Sequence, residues 1–128
     1  MPAREPFQYA IVRVVPHVER GECLNAGVVL FCRPLGFLRA RVGLDERALH
    51  ALAPDCEPET VREQLAAVEA VAAGDDDGGP VAALPPSERF HWLVAPASTV
   101  VQPSPVHTGL TADPAAELDR LFAALVVR

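Results

Sequence analysis

Apolar positions along the chain follow two periods, and the switches between them outline the elements. Phe7 to Val15 is rich in Phe, Tyr, Ile and Val, residues that suit a pleated and covered surface. It stops at Pro16, which has no N–H for a ladder bond. Ala26 to Cys32 is a continuous apolar run, the pattern of a central strand covered on both faces. Arg33-Pro34-Leu35-Gly36 supplies turn chemistry. Phe37 to Val42 then alternates, with Leu38, Ala40 and Val42 pointing one way and Arg39 and Arg41 the other. Three strands joined by turns are predicted.

The period then lengthens to that of a helix. Asp45 is placed to cap a short helix that carries Leu49 and Leu52 and stops before Pro54. A longer helix opens at Pro58, sets Val61, Leu65, Val68 and Ala72 along one side, and ends at Gly74. Residues 74–86, with three aspartates, glycines and prolines, have the composition of a mobile internal loop. Ser87 is placed to cap a short helix through Phe90, Leu93 and Val94, but Trp92-Leu93-Val94 fits an extended strand equally, and the pattern leaves both open. Pro96, Pro103 and Pro105 keep the next stretch out of a helix and allow one short strand, Thr99 to Gln102. Asp113 as cap, Pro114 at the first position and Leu118, Leu121, Phe122, Leu125 and Val126 on one face predict a C-terminal amphipathic helix that closes the core. The fold class is α+β: a three- or four-stranded, mainly antiparallel sheet with helices packed on it.

A chain of 128 residues is expected to form a single domain over its whole length. Half its residues are apolar, and only seven are Phe, Trp or Tyr, so the core must be aliphatic. All eleven basic residues are arginine, in a background of Ala, Val, Pro and Asp, a bias that reads as GC-rich coding. A net charge of −6 argues against a general binder of nucleic acid or anionic membrane, because such binding releases counterions from a basic surface. Three cysteines without C-x-x-C spacing favour reduced thiols over disulfides or a structural zinc site. No apolar signal region and no long apolar run occur, and a soluble bacterial cytoplasmic protein without a membrane partner is expected.

Tyr9-Ala10-Ile11-Val12-Arg13-Val14-Val15-Pro16, Arg20-Gly21-Glu22-Cys23-Leu24-Asn25-Ala26-Gly27-Val28-Val29-Leu30-Phe31 and Gln102-Pro103-Ser104-Pro105-Val106-His107-Thr108-Gly109 together resemble the bacterial domain-of-unknown-function family 3037. The resemblance covers nearly the whole chain. It implies no catalytic residue; because genes of that family tend to lie beside those of HipA-like kinases, it implies an accessory or regulatory protein that binds such a kinase.

The chemistry legible in the residues is sparse. Arg20, Glu22 and Asn25 form a polar turn at the mouth of the second strand, where Glu22 can accept from backbone N–H groups or pair with Arg13. This turn reads first as a register device and second as a recognition surface. Gln102 to Gly109 reads as an ordered loop packed near it, so that Arg13, Arg20, Glu22, Asn25, Gln102, Ser104 and His107 form one tentative protein-binding surface of a non-enzymatic module. Arg13, Arg39 and Arg41 are also candidates to share a sheet face that holds phosphate, a nucleotide or nucleic acid, or an acidic peptide. An enzymatic alternative, a small acid–base hydrolase or nuclease, would use Glu22 with His17 or His107.

Other chemistries fail on spacing. His17-Val18-Glu19 matches half of a zinc deaminase motif, but Pro54-Asp55-Cys56 is not Pro-Cys and Glu59 stands where the second cysteine should be. Asp75 to Asp77 lack a calcium loop's alternating ligands, and the four histidines lack metal-ligand spacing. There is no lysine for a Schiff base or a Walker loop, no G-x-S-x-G and no dinucleotide fingerprint. No metal, cofactor or catalytic residue is expected.

Overall fold

The computed structural model describes residues 3–128. Strands β1 (Glu5–Val14), β2 (Leu24–Cys32) and β3 (Phe37–Val42) come first, followed by helices α1 (Glu46–Leu52), α2 (Pro58–Ala73) and α3 (Pro86–Leu93). Two short strands, β4 (Val101–Pro103) and β5 (His107–Thr111), precede the last helix, α4 (Pro114–Leu125). The class is α+β as predicted, but the sheet has five strands rather than three or four, and every pairing in it is antiparallel.

The order β3-β2-β1 places β1 beside β2 on one side, with β4 and β5 sharing its other side. Val12 to Val14 face Pro103 to Val101, and Glu5 to Tyr9 face Thr111 to His107. Ile11 and Ser104 continue the β4 register, since Ser104 N–H donates to the Ile11 carbonyl at 2.8 Å. Between there and Tyr9–His107, Pro105 and Val106 stand against Ala10 alone, so β4 and β5 are one edge strand interrupted by a bulge. Pro105 lacks the N–H that a regular ladder needs, and a bulge is one of the few places in a sheet that accepts it. β2 is bulged too: its register against β1 slips between Val12 and Arg13, which leaves Ala26 as the extra residue.

The run that reads as fully covered in the sequence is covered by different helices. Val28, Leu30 and Cys32 face α4, packing with Phe7, Leu118, Leu121 and Phe122. Val29 and Phe31 face α2 and α3, with Val71, Ala72, Phe90 and Leu93. Past the bulge, Leu24 and Ala26 join Val12 and Val14 over Leu49, Val61 and Leu65 of α1 and α2. Helices therefore cover both faces of the sheet.

Helix boundaries follow the sequence signals, with one exception. Asp45 and Asp113 accept from the Ala48 and Ala116 N–H groups at 3.0 and 3.1 Å, and Pro58 and Pro114 open their helices. α2 ends at Gly74 as expected. Phe90 to Leu93 is helix, settling the open choice, but α3 begins at Pro86 after Pro85, and Ser87 does not cap it. Residues 76–78 and 80–83 form two 3-10 turns, with Ala82 buried. Arg89 of α3 ties this region to α2 by donating to the Val71, Ala72 and Leu84 carbonyls at 3.2, 2.9 and 3.0 Å, two of them C-terminal carbonyls of α2.

β3 approaches β2 closely at Gly27. A Cβ there would stand 2.8 Å from both the Arg41 carbonyl oxygen and Val42 Cγ1. Gly27→Ala is expected to lower stability by about 1–3 kcal/mol in urea denaturation; an unchanged midpoint would show that this approach is not tight.

Candidate functional site

The two segments singled out in the sequence lie on opposite sides of β1, and the strand between them carries Arg13. Arg13 is the cross-strand partner of Asn25 on β2 and of Gln102 on β4, so three of the seven candidate residues form one row across three strands. Cross-strand partners share a face, here the one that α4 covers over β2 and β3. Along β1 the same face carries Tyr9 and Ile11, both half-buried, with the His107 ring 5.2 Å from the Tyr9 ring. α4 leaves this part of the sheet partly open.

Within the row the side chains are differently engaged. Asn25 Nδ2 donates to the Leu125 carbonyl at 3.0 Å, satisfying an end carbonyl of α4 and tying that helix to β2. Gln102 Nε2 turns back along its own strand and donates to the Thr99 carbonyl at 2.7 Å. Arg13 remains half-buried. Its Nη2 donates to the Pro103 carbonyl at 3.3 Å, its Nε is buried without a partner, and among the described residues no carboxylate reaches it. Four other arginines pair with carboxylates: Arg20 with Glu22, Arg41 with Asp119, Arg62 with Glu46 and Glu59, and Arg120 with Glu117.

Ser104 is buried within the sheet edge. Its Oγ accepts the Ile11 N–H at 2.8 Å and donates to the Pro105 carbonyl at 2.9 Å, so the hydroxyl carries the ladder into the bulge. Arg20 and Glu22 form an exposed pair at 2.6 Å in the β1–β2 connection, where Gly21 has φ +71° and closes a 3-10 turn over Val18–Arg20. The positive φ explains the glycine between the two charges.

Several sequence expectations need correction. Glu22 pairs with Arg20 and not with Arg13. Gln102 to Gly109 is a bulged edge strand across β1 from β2, not a loop packed on the Glu22–Asn25 turn. Arg13, Arg39 and Arg41 share a face but make no common patch. β2 separates β1 from β3 by two strand spacings, about 9.5 Å, and Arg41 is taken up by Asp119 at 2.9 Å and by the Phe122 ring 4.4 Å away, both on α4. The acid–base pairing of Glu22 with His107 is not assembled. Glu22 lies beyond the end of β1 at Val14 while His107 stands opposite Tyr9, roughly 16 Å back along the strand. His17 is bonded to Asp55 at 3.2 Å. Among the described residues no three His, Cys, Asp or Glu side chains cluster to hold a metal ion.

The opposite face holds a feature the sequence did not reveal, a cleft of about 430 Å³ between α2, the end of α3 and β4. Trp92 lines it and is 53 % exposed, and Gln102 reaches its edge from β4. An exposed tryptophan beside Leu93 was the available signal, but the helix-or-strand ambiguity there hid which side it faces.

Ser104→Ala leaves the partly buried Ile11 N–H without its acceptor and is expected to cost about 1–3 kcal/mol. Glu22→Ala breaks an exposed pair and is expected to stay within about 0.5 kcal/mol. Equal losses in urea denaturation would contradict these roles. Thiol labelling gives a second check. Burial raises the Cys56 thiol above its ordinary value, and Asp55 and Glu57 push it the same way. Cys32 is buried and Cys23 exposed. With iodoacetamide at pH 8, Cys23 is expected to react first, Cys56 more slowly, and Cys32 only on unfolding, as read by peptide mass spectrometry; early labelling of Cys32 would contradict the packing.

Comparison with known proteins returns no curated protein and no solved structure that matches the chain. A family model does match, over residues 9–126, from Tyr9 in β1 to Val126 just after α4, and it takes in the Arg13 row, the Ser104 bulge and the cleft. The chain belongs to the family of proteins of unknown function DUF3037.

Proposed function

We propose that the chain is a non-enzymatic binding module that receives an acidic segment of another protein on the open part of the sheet face around Arg13. One observation carries this reading: Arg13 is half-buried and, among the described residues, no carboxylate pairs with it, in a chain with seventeen acidic residues, five of which pair with other arginines. Keeping a guanidinium partly out of water without a counterion costs free energy, and a carboxylate from outside would recover it through charge-assisted hydrogen bonds. Tyr9, Ile11 and His107 supply an apolar and aromatic surround for such a contact. A HipA-like kinase, suggested by the gene neighbourhood of the family, is the first partner to try, and a cytoplasmic location follows from that choice. No helix among the described residues is long and apolar enough to cross a membrane.

Co-expression of the chain with the neighbouring kinase is expected to yield a complex that Arg13→Gln weakens at least tenfold and that Glu22→Ala leaves intact. The affinity should fall as salt is raised from low to physiological levels. A complex indifferent to Arg13→Gln, with the variant's circular dichroism unchanged, would place the interface elsewhere.

A further inference from the structure

The cleft on the α2 side of the sheet arises from how the helices divide that face. α2 lies mainly over β3, and α3 docks on β2 through the Phe90 ring, 5.1 Å from Phe31. β4 is only three residues long, and the chain from Ala95 to Val100 runs without regular structure between α3 and β4. A triangular gap remains whose floor includes Val12, Val29 and Val101 and whose walls are Val68 of α2 and Leu93 of α3.

We propose that this cleft is a binding site for a small, uncharged, largely apolar molecule that carries one hydrogen-bond donor. Among the described residues no charged side chain lines it, although more than a fifth of the chain is charged, so an ion entering it would lose hydration without compensation. Its volume of about 430 Å³ falls in the range of small-molecule sites. Two turns of a partner helix, a cylinder 10 Å across, would displace roughly 850 Å³ and cannot be enclosed. Trp92, at the end of α3, offers an indole face for an aromatic or aliphatic ligand to cover.

The polar lining sets the ligand's hydrogen-bonding sense. The Thr99 hydroxyl gives its proton to the Val101 carbonyl at 2.7 Å, so its oxygen can only accept. Gln102 borders the cleft at β4, but as the cross-strand partner of Arg13 its carboxamide belongs to the other face of the sheet. Gln64 of α2 stands across the cleft with both a donor and an acceptor. A ligand hydroxyl or N–H directed at Thr99 meets an acceptor, whereas an ether or carboxylate oxygen placed there meets a hydroxyl that has no proton to give. This site lies on the opposite face of the sheet from Arg13 and does not depend on the role proposed for that residue.

Trp92 is the only tryptophan, so its indole N–H gives a single, readily assigned signal in a proton–nitrogen correlation spectrum. Three probes with one ring system test the claim on the full chain: 2-naphthol, 2-methoxynaphthalene and 2-naphthoate. 2-Naphthol is expected to shift the Trp92 signal saturably, 2-methoxynaphthalene to bind roughly threefold to tenfold more weakly for want of a donor, and 2-naphthoate not to bind. Ala67→Phe, which fills the cleft from the surface of α2, is expected to abolish the shift. Thr99→Val is expected to reduce the preference for naphthol over its methyl ether, and this readout stands if Ala67→Phe does not fold. No saturable shift with 2-naphthol, naphthoate binding as well as naphthol, or binding unchanged in a folded Ala67→Phe variant would each overturn the proposal.

Discussion

The whole arrangement depends on β1 being held along both edges by strands that are themselves irregular. β1 runs unbroken from Glu5 to Val14, while β2 is bulged opposite Val12 and the β4–β5 edge is bulged opposite Ala10. Each bulge would leave backbone groups of a buried strand unpaired, and an unpaired buried N–H costs free energy comparable to a lost hydrogen bond. At the outer edge the Ser104 hydroxyl stands in for the missing partner and accepts from Ile11. Beyond it, the Val15 N–H still finds the Val100 carbonyl at 2.6 Å, so the pairing continues past both ends of β4.

The placement of polar chemistry follows from this frame. The two bulges lie close together on either side of Val12 and Ala10, and Arg13 comes just beyond them, where β4 is short and α4 has ended. Asn25 fixes that end of α4 through the Leu125 carbonyl, so the helix covers β2 and β3 and leaves Tyr9, Ile11 and Arg13 partly open. On the other face the same short β4 leaves the cleft uncovered. Both candidate sites are consequences of one strand being too short and too bent for a helix to cover it.

The parts legible in the sequence were those governed by local rules. Asp45, Asp113, Pro58, Pro114 and Gly74 mark helix ends by chemistry that acts within one turn, and the Ala26–Cys32 run is central because both faces are apolar. β5 was missed because His107-Thr108-Gly109-Leu110-Thr111 has no apolar alternation; its one large aliphatic residue, Leu110, faces solvent, and its partner strand is about a hundred residues earlier. The same distance hid the pairing of Ser104 with Ile11 and of Asn25 with Leu125, so residues that complete the fold read as a recognition surface. Arg39 and Arg41 do face the same way as Arg13, as alternation requires, but strand order, which no local pattern encodes, set β2 between them.

The Ser104 hydroxyl carries the β1 ladder across the outer bulge. Residue-resolved amide hydrogen exchange tests it directly. In the wild-type chain the Ile11 amide should exchange as slowly as its neighbours in β1, and in Ser104→Ala it should lose protection while amides on the β2–β3 side keep theirs. An Ile11 amide that exchanges rapidly in the wild type, or is equally protected in the variant, would contradict the central role given to this hydrogen bond.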